Sequence, residues 1–109
     1  MRVLLACLLL LLSSAAWAHG EFAWIMQKPY KGTDGYVHCC GPADCDYVED
    51  ADIELTSSGY VLTYKGRQYL FSEWGKGLHV TERPDKKPVM CRQLSTDTPR
   101  CIFIKPVGS

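Results

Sequence analysis

Ile53-Glu54-Leu55-Thr56-Ser57-Ser58-Gly59-Tyr60-Val61-Leu62-Thr63-Tyr64-Lys65-Gly66-Arg67-Gln68-Tyr69-Leu70-Phe71 carries the reading of the fold. Residues 53–56 alternate apolar with polar, and Ser57-Ser58-Gly59 has the composition of a turn. Tyr60 to Tyr64 then runs back as β-branched and aromatic residues, with Lys65-Gly66 as a two-residue hairpin signal before Arg67 to Phe71. Side chains alternate faces along a strand, so Tyr60, Leu62 and Tyr64 share one face while Val61 and Thr63 share the other. Tyr69 and Phe71 join the tyrosine layer. Three antiparallel strands follow from this stretch.

Toward the C-terminus, Leu78 to Thr81 is a shorter strand candidate, with one turn of helix expected around Ser72-Glu73-Trp74. Arg83-Pro84-Asp85-Lys86 turns into a strand over 89–94. Residues 95–99 turn again, and Arg100 to Ile104 closes the run before Pro106. Toward the N-terminus, Cys39-Cys40-Gly41-Pro42-Ala43-Asp44-Cys45 reads as a tight loop punctuated by Gly and Pro. Residues 19–34 read as an irregular lead-in anchored by Phe22, Trp24 and Ile25. No segment shows a helical stripe, and turns recur every eight to twelve residues. The expectation is an all-β fold, a small antiparallel meander or barrel-like domain with that lead-in, stapled by disulfides.

The first eighteen residues read as a secretory signal. Met1-Arg2 starts it, Val3 to Leu12 is an apolar run, and Ala16-Trp17-Ala18 offers small residues at the cleavage positions. Such a run rises only about 15 Å as a helix, half of a hydrocarbon core of roughly 30 Å. No stable membrane anchor is expected after cleavage. Residues 19–109 then form one domain, exported to a periplasmic or extracellular space. A domain that small benefits from covalent staples.

Five cysteines lie beyond residue 18: Cys39, Cys40, Cys45, Cys91 and Cys101. In an exported chain they read as a disulfide framework with one thiol left over. Adjacent Cys39 and Cys40 point to opposite faces of an extended segment, so one of them can bridge inward. At least one bridge is expected from the 39–45 loop to Cys91 or Cys101.

The chain is electrically balanced, with 12 Lys and Arg against 12 Asp and Glu. That excludes the strong positive balance of a dedicated nucleic-acid binder. Residues 19–64 hold eight acids and two bases, residues 65–109 four acids and nine bases. Asp44, Asp46, Glu49, Asp50, Asp52 and Glu54 read as a solvated acidic edge facing the basic later segment. Their spacing does not match a calcium loop.

Chemistry can be sought at three places. His19, freed by cleavage, would offer an amine and an imidazole to Cu(II), with His38 or His79 as a further nitrogen ligand. His38, Cys39, Cys40 and Cys45 supply soft ligands for zinc or Cu(I), without the paired Cys-x-x-Cys knuckles of zinc modules. No serine sits in a strand-to-helix elbow, and a Cys–His pair would need a free thiol beside His38 or His79. Tyr30, Tyr36, Tyr47 and Trp74 read as core packing, or alternatively as a stacking platform for sugar or peptide.

An aromatic near Trp24, the run Cys39-Cys40-x-x-x-Asp44-Cys45, a Pro-x-x-Cys91 and a closing Cys101-Ile-Phe-x-x-Pro106 resemble small cysteine-rich exported bacterial proteins of unknown function. The resemblance implies the compartment and the cysteine framework. It departs at Val89-Met90, where such proteins place a His before the fourth cysteine. The resulting expectation is an exported, non-catalytic binding or envelope-associated protein with no cofactor. A copper-binding protein using His19 is the alternative.

Overall fold

The computed structural model describes residues 21–39 and 43–106. The signal segment 1–18, His19 and Cys40 lie outside the described residues. The deciding stretch forms a three-stranded antiparallel meander of β2 (Ile53–Thr56), β3 (Gly59–Tyr64) and β4 (Arg67–Phe71). Leu62 stands opposite Ile53 and Tyr69, and Tyr60 opposite Leu55 and Phe71, so the expected layer shares one face. Lys65 and Gly66 take φ of 50° and 76°, the two left-handed residues that a type I′ hairpin requires. At the β2–β3 turn the Thr56 hydroxyl donates to the Gly59 carbonyl at 2.8 Å.

The second sheet has four strands in the order β1-β6-β7-β5. These are β1 (Ala43–Tyr47), β5 (Leu78–Val80), β6 (Val89–Gln93) and β7 (Thr98–Ile104). β1 and β7 flank β6 antiparallel, whereas β5 runs parallel to β7. The two central strands are buried on both faces, as strands covered on two sides must be. Val89, Cys91, Cys101 and Phe103 face a cluster with Trp24 and Ile25. Met90, Ile102 and Ile104 face the other way, against Leu62 and Phe71 of the meander. The molecule is therefore three layers: lead-in, four-stranded sheet, three-stranded sheet.

The lead-in is ordered by its anchors. A single helical turn α1 (Ala23–Met26) buries Trp24 and Ile25. Trp24 meets Phe103 edge-on at 5.1 Å between ring centroids and Tyr30 at 6.0 Å. Cys39 N–H donates to the Tyr30 carbonyl at 3.0 Å, and Gly77 N–H donates to the Lys31 carbonyl at 2.9 Å, tying the segment to the entrance of β5. Gly77 has φ +81°, and a Cβ there would sit 2.8 Å from both the Arg100 carbonyl oxygen and Thr33 Cγ2. Only glycine fits that junction.

Two disulfides fasten this layer and the sheet edge. Cys39–Cys101 joins the lead-in to β7, and Cys45–Cys91 crosses from β1 to β6, with Cα separations of 5.9 Å and 4.0 Å. Both run from the 39–45 stretch to the C-terminal pair, as expected. They mark an oxidising, non-cytoplasmic environment. Among the described residues, no helix is long and apolar enough to cross a membrane.

Three local expectations need correction. The 39–45 stretch is not all loop, because Ala43 to Tyr47 pairs with β6 as an edge strand whose Cys45 and Tyr47 pack inward. No helical turn forms at Ser72-Glu73-Trp74; Trp74 makes an isolated bridge to Leu78 instead. The meander covers β2 to β4 only, since β7 inserts between β6 and β5. A bulge at Cys91/Arg92 shifts the β6–β7 register, opposing Cys91 to Cys101 but Arg92 to Pro99.

Candidate functional site

The face of the four-stranded sheet under the lead-in gathers sulfur and imidazole. Cys45, Cys91 and Cys101 are register neighbours across β1, β6 and β7, so their side chains line one row. His79 of β5 lies opposite Phe103, two residues beyond Cys101, and stacks on that ring at 5.1 Å. Tyr30 closes over the imidazole edge-on at 5.0 Å. A ring nitrogen of His79 and the Sγ atoms of Cys39 and Cys101 lie within 4.8 Å of one another, all three residues buried.

The tautomer of His79 follows from its partner. Its Nε2 lies 2.8 Å from the Lys31 carbonyl oxygen, which can only accept, so Nε2 carries the proton and Nδ1 the lone pair. Burial holds the imidazole below its usual pKa, outweighing the Lys31 hydrogen bond, which acts the other way. The ring is therefore neutral at pH 7. His38 Nε2 contacts the Lys28 carbonyl at 2.6 Å. The soft-ligand group expected from chain proximity, His38 with Cys39, Cys40 and Cys45, is not what the fold assembles among the described residues. Cys39 and Cys45 enter separate bridges, and His79 is the histidine beside sulfur. His19, the proposed anchor of a copper site, lies outside the described residues, as does Cys40.

The acidic edge meets the later bases as expected. Arg92 reaches Asp44 at 3.3 Å, Asp46 at 3.0 Å and Asp97 at 3.3 Å. Lys87 pairs with Glu49 at 2.6 Å and Lys105 with Asp50 at 3.7 Å. Tyr64 Oη donates to Asp97 at 2.8 Å and accepts from Arg92 at 3.2 Å, which links the two sheets. Hydrogen bonds from Lys65 and then Tyr64 hold the Asp97 carboxyl below the usual carboxylate range. Sequence spacing gave no sign that Tyr64 and Lys65 would join Arg92 and Asp97, because these four come from two hairpins far apart in the chain.

Beside it lies a cavity of about 220 Å³, lined by Tyr64, Lys65, Arg67, Tyr69, Thr96, Asp97 and Thr98. It sits where the β3–β4 hairpin of one sheet meets the β6–β7 turn of the other. Lys65 is committed to Asp97 at 2.5 Å. Arg67 is exposed and makes no ion pair with any described residue.

The four aromatic residues considered as a platform divide between interior and surface. Tyr30 packs in the core and donates to Glu82 at 2.7 Å, while Tyr47 packs on Phe22 at 5.1 Å. Tyr36 and Trp74 are exposed, and the ring partner of Trp74 is Tyr60 at 6.1 Å. No protein-family model, curated protein or solved structure matches the chain.

Proposed function

We propose that this is an exported, non-catalytic binding module of the periplasm or extracellular space, and that the cleft between its two sheets receives the ligand. The observation that carries the reading is Arg67. It makes no ion pair with any described residue and lines a cavity together with Tyr64, Tyr69, Thr96 and Thr98. A planar cation beside phenol rings suits a carboxylate carried on a sugar or peptide, because the guanidinium forks onto the carboxylate while the ring supplies apolar area. Compartment and framework support the same reading: two bridges are stable only where thiols oxidise. Most of the described acids are engaged in ion pairs, among them Asp44 and Asp46, which join β1 to Arg92 of β6.

The test has two arms. Wild-type protein and the Arg67→Ala and Tyr69→Ala variants are titrated with soluble acidic glycan and muropeptide fragments by calorimetry, and a tagged full-length chain is fractionated in its host. Binding that falls about tenfold or more in Arg67→Ala, a loss of roughly 1.4 kcal/mol, supports the cleft. Equal binding by all three proteins, or recovery of the chain from the cytosol with residue 1 intact and its thiols reduced, rejects the proposal.

A further inference from the structure

We propose that Cys39, Cys101 and His79 form a masked site for a divalent d10 cation of the zinc group, opened by reduction of the Cys39–Cys101 bridge. Three observations converge on it. The donor atoms are already gathered within 4.8 Å, supplied by the lead-in, β7 and β5. Zinc–sulfur bonds of about 2.3 Å at tetrahedral angles need sulfurs roughly 3.7 Å apart, so reduction has to let the two sulfurs part from bonding distance to about that spacing.

The surroundings match those of a metal ligand. Metal-bound histidines nearly always donate their other ring N–H to a carbonyl or carboxylate, which fixes the ring. His79 donates Nε2–H to the Lys31 carbonyl at 2.8 Å, so Nδ1 is the nitrogen that carries a lone pair for the ion. That carbonyl is itself held by Gly77 N–H at 2.9 Å and touches Cys101 Sγ at 3.7 Å. That backbone oxygen thus fixes the orientation of the His79 ring.

Charge also selects the ion. Two thiolates, one neutral imidazole and a divalent cation sum to zero, and a neutral cluster is the form that a site walled by Trp24, Tyr30 and Phe103 admits at least cost. A monovalent ion would leave a net negative charge buried there. Among the described residues no fourth His, Cys, Asp or Glu joins the group.

The chemistry balances with a dithiol as the reductant. The dithiol gives two electrons and two protons to the bridge and becomes a disulfide, leaving Cys39 and Cys101 as thiols. Binding of the cation then releases both thiol protons to solvent. In the bridged state neither sulfur is a thiolate, so the site is closed. Both cysteines are fully buried, so exchange requires the lead-in to lift from the sheet.

The full chain carrying Cys40→Ser, with only the four described cysteines beyond the signal segment, is reduced with a phosphine under argon and titrated with zinc against a chromophoric chelator. Cobalt(II) serves as the spectroscopic probe, and near-ultraviolet dichroism of the Trp24–Tyr30–Phe103 cluster reports folding. The expected result is one ion per chain, a sulfur-to-cobalt charge-transfer band and recovery of the dichroism on loading. Cys101→Ser abolishes the band, and His79→Gln weakens zinc binding by roughly tenfold or more. Replacing Cys45 and Cys91 together by serine preserves both signals. Equal uptake by the oxidised protein, uptake unchanged in His79→Gln, binding without return of the dichroism, or no stoichiometric uptake would each overturn the proposal.

Discussion

The two faces of the four-stranded sheet are covered by different means. On one, the meander β2–β4 brings Leu62, Phe71 and a row of half-buried tyrosines onto Met90, Ile102 and Ile104, and no disulfide crosses that boundary. On the other, a segment with one helical turn covers the sheet, and a bridge from Cys39 to Cys101 fastens it. The difference follows from local order. Three strands paired in register present a preformed apolar face, whereas an irregular segment must be ordered residue by residue at about 1–2 kcal/mol each for its backbone alone. Closing a loop in the unfolded chain offsets part of that cost, so the crosslink lies where regular structure is least.

The comparison can be broken at its covalent end first. Replacing Cys39 and Cys101 together by alanine opens a loop that, with the nested Cys45–Cys91 bridge intact, runs only through residues 39–45 and 91–101. Chain entropy predicts a loss of about 3 kcal/mol, read as a fall in the denaturant midpoint, with the near-ultraviolet signal of Trp24 melting before the strand signal. A loss below about 1 kcal/mol would mean that the lead-in holds itself, and the contrast between the faces would fall. Phe71→Ala strikes the uncrosslinked face and is expected to cost about 3–4 kcal/mol. There the two signals should melt together, because the meander has no covalent tether to keep part of it in place.

The smallest effect sharpens the contrast through pH. The His79 imidazole sits under the lead-in with its pKa lowered, chiefly by burial. Its neutral form is favoured in the fold, so its contribution is fully present above the ordinary histidine pKa of about 6.5. Stability drains away as the pH falls from there toward the lowered folded value, because the unfolded chain takes up the proton first. Urea unfolding at pH 7.5 and pH 5.5, as test conditions chosen on either side of about 6.5, should show this slope in the wild type and a flatter one in His79→Gln. Equal slopes would remove His79 from the account.

Much of the meander was legible because its determinants are local. Alternation over 53–56 and 60–64, with Lys65-Gly66 between strands, fixes pairing without reference to the rest of the chain. The acidic edge was legible as well, since eight acids against two bases in residues 19–64 demand partners from the other half. What could not be read depends on distant pairing. Gly41 and Pro42 made residues 39–45 read as a loop, yet Ala43–Tyr47 is a strand whose Asp44 and Asp46 meet Arg92 once β6 lies alongside. The partnership of His79 with Cys39 and Cys101 needs β5 to run parallel to β7, and short strands carry no local mark of that arrangement. Sequence grouped His38 with its neighbours in the chain; the fold chose a histidine forty residues from Cys39.

The strand made late in synthesis sits in the middle of the sheet. β7, residues 98–104, separates β6 from β5, contributes to both apolar clusters and carries Cys101. A ribosome that has released everything up to Gln93 has therefore delivered β1, β5 and β6 without the strand that joins β5 to the other two, and without the Cys101 that fastens Cys39. Completion of the sheet must wait for residue 104. Until then β5 has no partner strand among the described residues.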